Sequence, residues 1–169
     1  MSRYRRAYAP GGCFFFTVVT FQRRRIFADP SSVRLLREAF RHVRQRRPFQ
    51  CDAIVVLPDH LHCIWQLPPA DSDYSGRWRE IKKFVSRRLT AANPGEVIWQ
   101  PRFWEHTLKD EHDWQRHFDY IHYNPVKHGW AATPSEWPWS SFHTAVKHGW
   151  YEREWGAGSP PEVASESWE

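Results

Sequence analysis

Residues 14–21 read Phe-Phe-Phe-Thr-Val-Val-Thr-Phe, an aromatic and β-branched run that predicts a strand. Arg23-Arg24-Arg25 gives it a charged exit. Asp29-Pro30-Ser31-Ser32 carries helix-start chemistry, and Val33, Leu36, Phe40 and Val43 then recur at helical spacing with arginines between them. A helix is predicted over 33–46, stopped by Pro48. Residues 50–57 and 60–67 predict two strands joined by a tight Pro58-Asp59 turn. A second basic amphipathic helix is predicted over 76–92, with Trp78, Ile81, Phe84, Val85 and Leu89 inward. Residues 97–99 and 103–108 are short strand candidates. Asp110 caps a third helix over 111–123, which Asn124-Pro125 is expected to end.

The order β-α-β-β-α-β plus one helix predicts an α+β fold: a ferredoxin-like split βαβ sandwich, its antiparallel sheet carrying helices on one face. Leu61 and Cys63 then point into the helix-covered core, and His60 and His62 lie on an open sheet face. The expected organisation is one domain over 1–145 and a tail over 146–169, disordered beyond Gly156. Val-Lys-His-Gly-Trp occurs at 126–130 and again at 146–150. Both copies fit helix ends, with glycine past the last turn and Lys and His against the dipole.

Charge sharpens the picture. Residues 1–50 hold twelve arginines against Asp29 and Glu38, whereas the last twenty residues hold five glutamates and one arginine. Arginine presents a planar fork to phosphate and stacks on bases. With eleven tryptophans, this composition suits single-stranded nucleic acid, which takes a cationic groove with stacking platforms. A solvated basic face over a Trp-rich core is the plainer alternative. No apolar stretch is long enough to span a membrane. Cys13, Cys51 and Cys63 make no paired framework, so a reducing cytoplasm is expected.

Two short patterns carry candidate chemistry. In His60-Leu61-His62 the imidazoles share one face of a strand, where they could hold an open metal site lacking its third ligand. An HxH pair alone is equally what a surface strand can carry. Tyr120 and Asn124 share a helix flank, offering a phenol and an amide oxygen one turn apart. At 100° per residue, Tyr120 sits about 130° from the centre of the stripe formed by Trp114, Phe118 and Ile121, so it is not an obvious core tyrosine. Asn124-Pro125 could also be mere helix punctuation. His117 and His122 are nearby alternatives for a metal or a proton relay.

Four segments in series resemble the HUH-type single-tyrosine transposases, and within them the REP-associated tyrosine transposases of bacteria. These are Gly11-Gly12 before the Phe14 run, Leu57-Pro-Asp-His60-Leu-His62, Tyr120-Ile-His-Tyr-Asn124-Pro-Val-Lys-His-Gly, and Trp137-Pro-Trp-Ser-Ser. The resemblance spans roughly residues 3–143. It implies that His60, His62 and Asn124 bind Mg²⁺ or Mn²⁺ and that Tyr120 is the nucleophile. Mobile relatives carry Gln where Asn124 stands. It also implies single-stranded palindromic hairpins as substrates and a monomer acting with its own Tyr120, mobile relatives being dimers. For phosphate contacts the candidates are Arg5, Arg6, Arg23, Arg24, Arg25, Arg44, Lys82, Lys83 and Arg87. Trp137 and Trp139 are candidates for base stacking, with a structural clasp as the equal alternative.

Three rival readings stay open. A non-catalytic hairpin-binding protein would not need His60, His62 and Tyr120 intact. A small-substrate metal hydrolase leaves the arginines without a role. An RNA-binding module would show aromatics on its open sheet face. The expected location is the bacterial cytoplasm, at the nucleoid, and the acidic tail is expected to fold over the basic groove and damp activity.

Overall fold

The computed structural model describes residues 6–169; Arg5 lies outside them. Four antiparallel strands form one sheet in the order β2-β3-β1-β4: β1 Cys13–Val19, β2 Gln50–Val56, β3 His60–Gln66 and β4 Trp104–Thr107. The candidate strand over 97–99 contributes only a bridge between Thr20 and Trp99.

Helices α1 (Pro30–Arg46) and α2 (Tyr74–Leu89) cover one face. Asp29 caps α1 by accepting from the Ser31 N–H at 2.8 Å, with Pro30 in the first turn. Its stripe of Val33, Leu36, Phe40 and Val43 meets Phe14, Phe16, Leu61, Cys63 and Trp65 of the sheet. Truncating Phe40 to Ala here would cost about 3–5 kcal/mol, from lost transfer energy plus a cavity. Arg77 of α2 is buried, unlike the outward arginines expected of that helix. Its guanidinium donates to Asp71 at 2.7 Å and to the Pro48 carbonyl at 2.8 Å, which compensates its burial.

The other face is not open. Helix α3 (Glu111–Lys127) lies across it with the short α4 (Phe142–Lys147), because Phe118 and Ile121 need a surface to bury against. They find it on Phe15, Val55 and Ile64. Alternation along β1 therefore sends Phe14 and Phe16 into one core and Phe15 into the other. The same parity puts His60 and His62 beneath α3.

The expected stop at Asn124-Pro125 does not occur: α3 runs on to Lys127 with Pro125 inside it. Pro125 can make no hydrogen bond to the Ile121 carbonyl one turn back, yet the helix continues past it, and the His128 N–H reaches the Asn124 carbonyl at 3.1 Å. The repeated pentapeptide ends both α3 and α4. Gly129 and Gly149 take positive φ of 71° and 74°, and the Trp130 and Trp150 N–H groups reach back to Pro125 and Ala145.

Residues 137–141 run along the free edge of β2. The Val56 N–H donates to the Trp139 carbonyl and the Ser141 N–H to the Ile54 carbonyl, each at 2.8 Å. The Trp137 indole N–H donates to the Val56 carbonyl at 3.0 Å. This motif is a clasp that covers an edge strand. The tail expected beyond residue 145 belongs to the same fold: Tyr151 and Val163 are buried in the second core, and a 3-10 turn at Glu162–Ser165 packs near α3. Low apolar content predicts disorder beyond Gly156, but the segment is anchored by Val163, which is buried, and by Trp168, whose ring packs on His117 and Tyr120.

Candidate active site

His60 and His62 open β3 and are both buried. His60 Nδ1 lies 2.6 Å from the Asp59 carboxylate. Burial pushes the Asp59 pKa up, but the His60 hydrogen bond and Arg23 outweigh it and hold the group down at about 2. A carboxylate can only accept, so His60 carries its proton on Nδ1. His62 Nδ1 lies 2.9 Å from the Thr17 hydroxyl, which itself donates to the Trp168 carbonyl at 2.6 Å. The Thr17 proton is thereby committed, and His62 Nδ1 is the donor. Both Nε2 atoms are buried and without hydrogen-bond partners. Burial first, then His60, His128, Lys127 and Arg23, hold His62 well below the usual histidine pKa and keep it neutral. Fixed tautomers with free Nε2 atoms are the arrangement that metal-binding histidines use.

Tyr120 on α3 is buried, its ring 5.3 Å from that of His62 at 70°. Its hydroxyl accepts from the Trp168 N–H at 3.2 Å and from Lys127 Nζ at 3.4 Å. Burial is the largest cause that raises its pKa, to about 12. Asn124, one turn on, is fully buried beside the phenol, and neither of its side-chain amide atoms has a well-formed hydrogen bond. Tyr120 is thus no rim residue, as the helical-wheel angle suggested, but the centre of the α3–sheet interface.

The C-terminus lies against this group. The Trp168 ring stacks on His117 at 4.0 Å and contacts Tyr120 at 4.7 Å. The Glu169 carboxylate and nitrogens of His60 and His62 lie within 4.8 Å of one another, and Glu169 also contacts His128 at 2.6 Å. His106, Asp113 and His117 form a neighbouring cluster. There His117 Nδ1 donates to the Asp113 carbonyl at 2.8 Å, so that nitrogen is not free to ligate. His122 faces away, toward Ser141 Oγ at 2.8 Å.

The cationic candidates separate by role. Arg6 pairs with Glu105 at 2.7 Å, Arg24 with Glu96, and Arg23 with Asp59 at 3.3 Å. Arg25 lies over the Trp130 ring. Lys82 Nζ donates to the Gln100 carbonyl at 3.1 Å, and burial lowers its pKa to about 8. Lys83 and Arg87 are exposed on α2. Arg44, with Arg34, Arg37 and Arg41 of α1, lines a groove of about 590 Å³ against β2 and Trp139, whose ring packs beside Arg37.

A family model described as "Transposase IS200 like" matches residues 14–124, from the first Phe of β1 to Asn124. The chain is 48% identical to the REP-associated tyrosine transposase of Escherichia coli (strain K12) over 92% of its length and 91% of the relative's. The chain belongs to the REP-associated tyrosine transposases, within the IS200-like transposase family. A solved structure described as a REP-associated tyrosine transposase bound to a REP hairpin superposes with a TM-score of 0.84 at 46% identity, covering 99% of this chain and 98% of that one. As a tyrosine transposase, the chain is an enzyme whose α+β sheet fold is shared with that relative. No helix among the described residues is long and apolar enough to cross a membrane.

The sequence does not by itself point to Asp59, Thr17 and Lys127, which the structure places against His60, His62 and Tyr120. Asp59 reads as turn chemistry, yet an acid directly before HxH is a usable signal. Thr17 is a lone hydroxyl in an apolar strand, a second signal. Lys127 was hidden by the expected helix stop.

Proposed function

We propose that the protein nicks and rejoins single-stranded DNA at REP-type palindromic hairpins through a covalent link on Tyr120. The observation that carries this reading is the set of three buried donor groups without partners, His60 Nε2, His62 Nε2 and the Asn124 amide, gathered at one phenol. Unpaired buried polar atoms are costly, and a bound ion is one reason a fold retains them. The donor set fits Mg²⁺ or Mn²⁺, with His60, His62 and Asn124 as the holding residues. When bound, the ion would polarise a non-bridging phosphate oxygen.

The residues of the chain do the rest. Asp59 and Thr17 fix the two imidazoles in their ligating tautomers. Helix α3 presents Tyr120 to the same face of the sheet as the histidines. In the reaction the phenol loses its proton to water, and its oxygen forms a bond to phosphorus. The P–O3′ bond breaks, and the leaving 3′ oxygen takes a proton from water, giving a 3′-OH and a 5′-phosphotyrosine. The retained ester allows reversal without ATP. Because Tyr120 and the histidines belong to one chain, the site is complete in a monomer. The structural relative is described as bound to a REP hairpin, which supports hairpins as substrate; a protein acting on them would work at the nucleoid.

The test is an adduct assay: protein, labelled single-stranded hairpins from the genome's own palindromes, and Mn²⁺ or Mg²⁺. An adduct that survives denaturing gels, needs metal and vanishes in Tyr120→Phe is expected. Tight hairpin binding with no adduct under any metal would leave a non-catalytic hairpin-binding protein instead.

A further inference from the structure

A phenol buried beside the sheet is a poor nucleophile, and the reading above leaves its activation open. Among the described residues, one cation reaches the reacting oxygen. Lys127 Nζ donates to the Tyr120 hydroxyl at 3.4 Å and lies 4.8 Å from the ring centroid. Its place follows from the helix. Seven residues are almost two full turns, so Lys127 shares the face of Tyr120, and helical side chains lean back toward the N-terminus, over it. This geometry exists only because α3 continues through Pro125. The ammonium is half-buried, its other hydrogen-bond partner is the Glu166 carbonyl, and the nearby Glu169 and Glu166 carboxylates favour its charged form against the cost of burial.

We infer that Lys127 is a further catalytic residue, whose ammonium stabilises negative charge on the Tyr120 oxygen as it attacks phosphorus. This rests on the phosphotyrosine reading. The bonds are those given above: Tyr120 O–P forms and P–O3′ breaks. Lys127 transfers no proton. It stands at the phenolate and, in the reverse direction, at the departing tyrosyl oxygen. A preorganised donor aimed at developing charge typically supplies a factor of about 10² to 10³.

The experiment compares full-length wild type, Lys127→Met and Lys127→Arg in single-turnover adduct formation with Mn²⁺, alongside hairpin affinity. Lys127→Met should slow adduct formation by about 100-fold while hairpin affinity stays within about twofold; Lys127→Arg, keeping the charge, should lose far less. A substrate with sulfur in place of the 3′ bridging oxygen separates the roles. Its leaving group needs no help, so the Lys127→Met defect should persist. Rescue by sulfur would place Lys127 at the leaving group and overturn the assignment. So would a wild-type rate in Lys127→Met. If that variant no longer binds hairpin, Lys127→Gln takes its place under the same criteria. A wild-type protein that forms no adduct at all would instead remove the phosphotyrosine reading.

Discussion

The backbone N–H of Trp168 donates to the Tyr120 hydroxyl at 3.2 Å. Trp168 thus occupies the oxygen proposed to attack phosphorus, while Glu169 stands beside His60 and His62. Deleting residues 166–169 removes these contacts and leaves the buried Val163 in place. The expected outcome is roughly tenfold faster adduct formation, the equivalent of about 1.4 kcal/mol of competing contact, at unchanged hairpin affinity. An unchanged or slower rate would show that the segment does not obstruct the site.

Asn124→Ala should move stability and activity in opposite directions. The asparagine carries two buried amide atoms without partners, so truncation removes a desolvation penalty of about 1–3 kcal/mol. Part of that gain is offset by the cavity left behind. Thermal unfolding without added metal should show no loss, or a small gain, in Tm. Adduct formation should fall by at least tenfold.

Stability should decline on the acid side of neutrality. Burial, the dominant cause, lowers the His122 pKa to about 3, against a weaker opposing effect of the Phe118 backbone. Its polar neighbours are the neutral Ser141 and Tyr151 hydroxyls. The folded pKa is below the unfolded value of about 6.5. The contribution is therefore complete above pH 6.5 and is lost as pH falls toward 3. The slope is about 1.4 kcal/mol per pH unit for one proton. His62 shifts in the same direction and steepens the decline. Denaturant titrations from pH 8 to 4 on wild type and His122→Gln should show a shallower slope in the variant.

The basic residues should divide by exposure. Lys83→Ala or Arg87→Ala, both exposed on α2, should weaken hairpin binding and lower the slope of log affinity against log salt by about one, with Tm unchanged. Lys82→Ala removes a hydrogen bond to the Gln100 carbonyl, so it should reduce stability by about 1 kcal/mol and leave the salt slope alone. A reversed pattern would show that α2 meets DNA through another face.

Local physics wrote much of this protein into its sequence. The periodicities of 14–21, 33–46 and 60–67 fixed the strands, the first helix and their order, because each alternation has one geometry that buries its apolar positions. The HxH pair and the Tyr120–Asn124 spacing fixed which side chains share a face, and Gly after Lys-His fixed two helix ends. Tertiary packing decided what spacing cannot encode. The second face of the sheet received α3, so the histidines are buried and not open. Helix α3 ran through Pro125 because the packing of Ile121 and its neighbours against the sheet outweighs the lost backbone bond, and this brought Lys127 to the phenol. The final residues docked because Trp168 found the rings of His117 and Tyr120. A tail with few apolar residues looks unstructured until a surface made by distant segments exists to receive them.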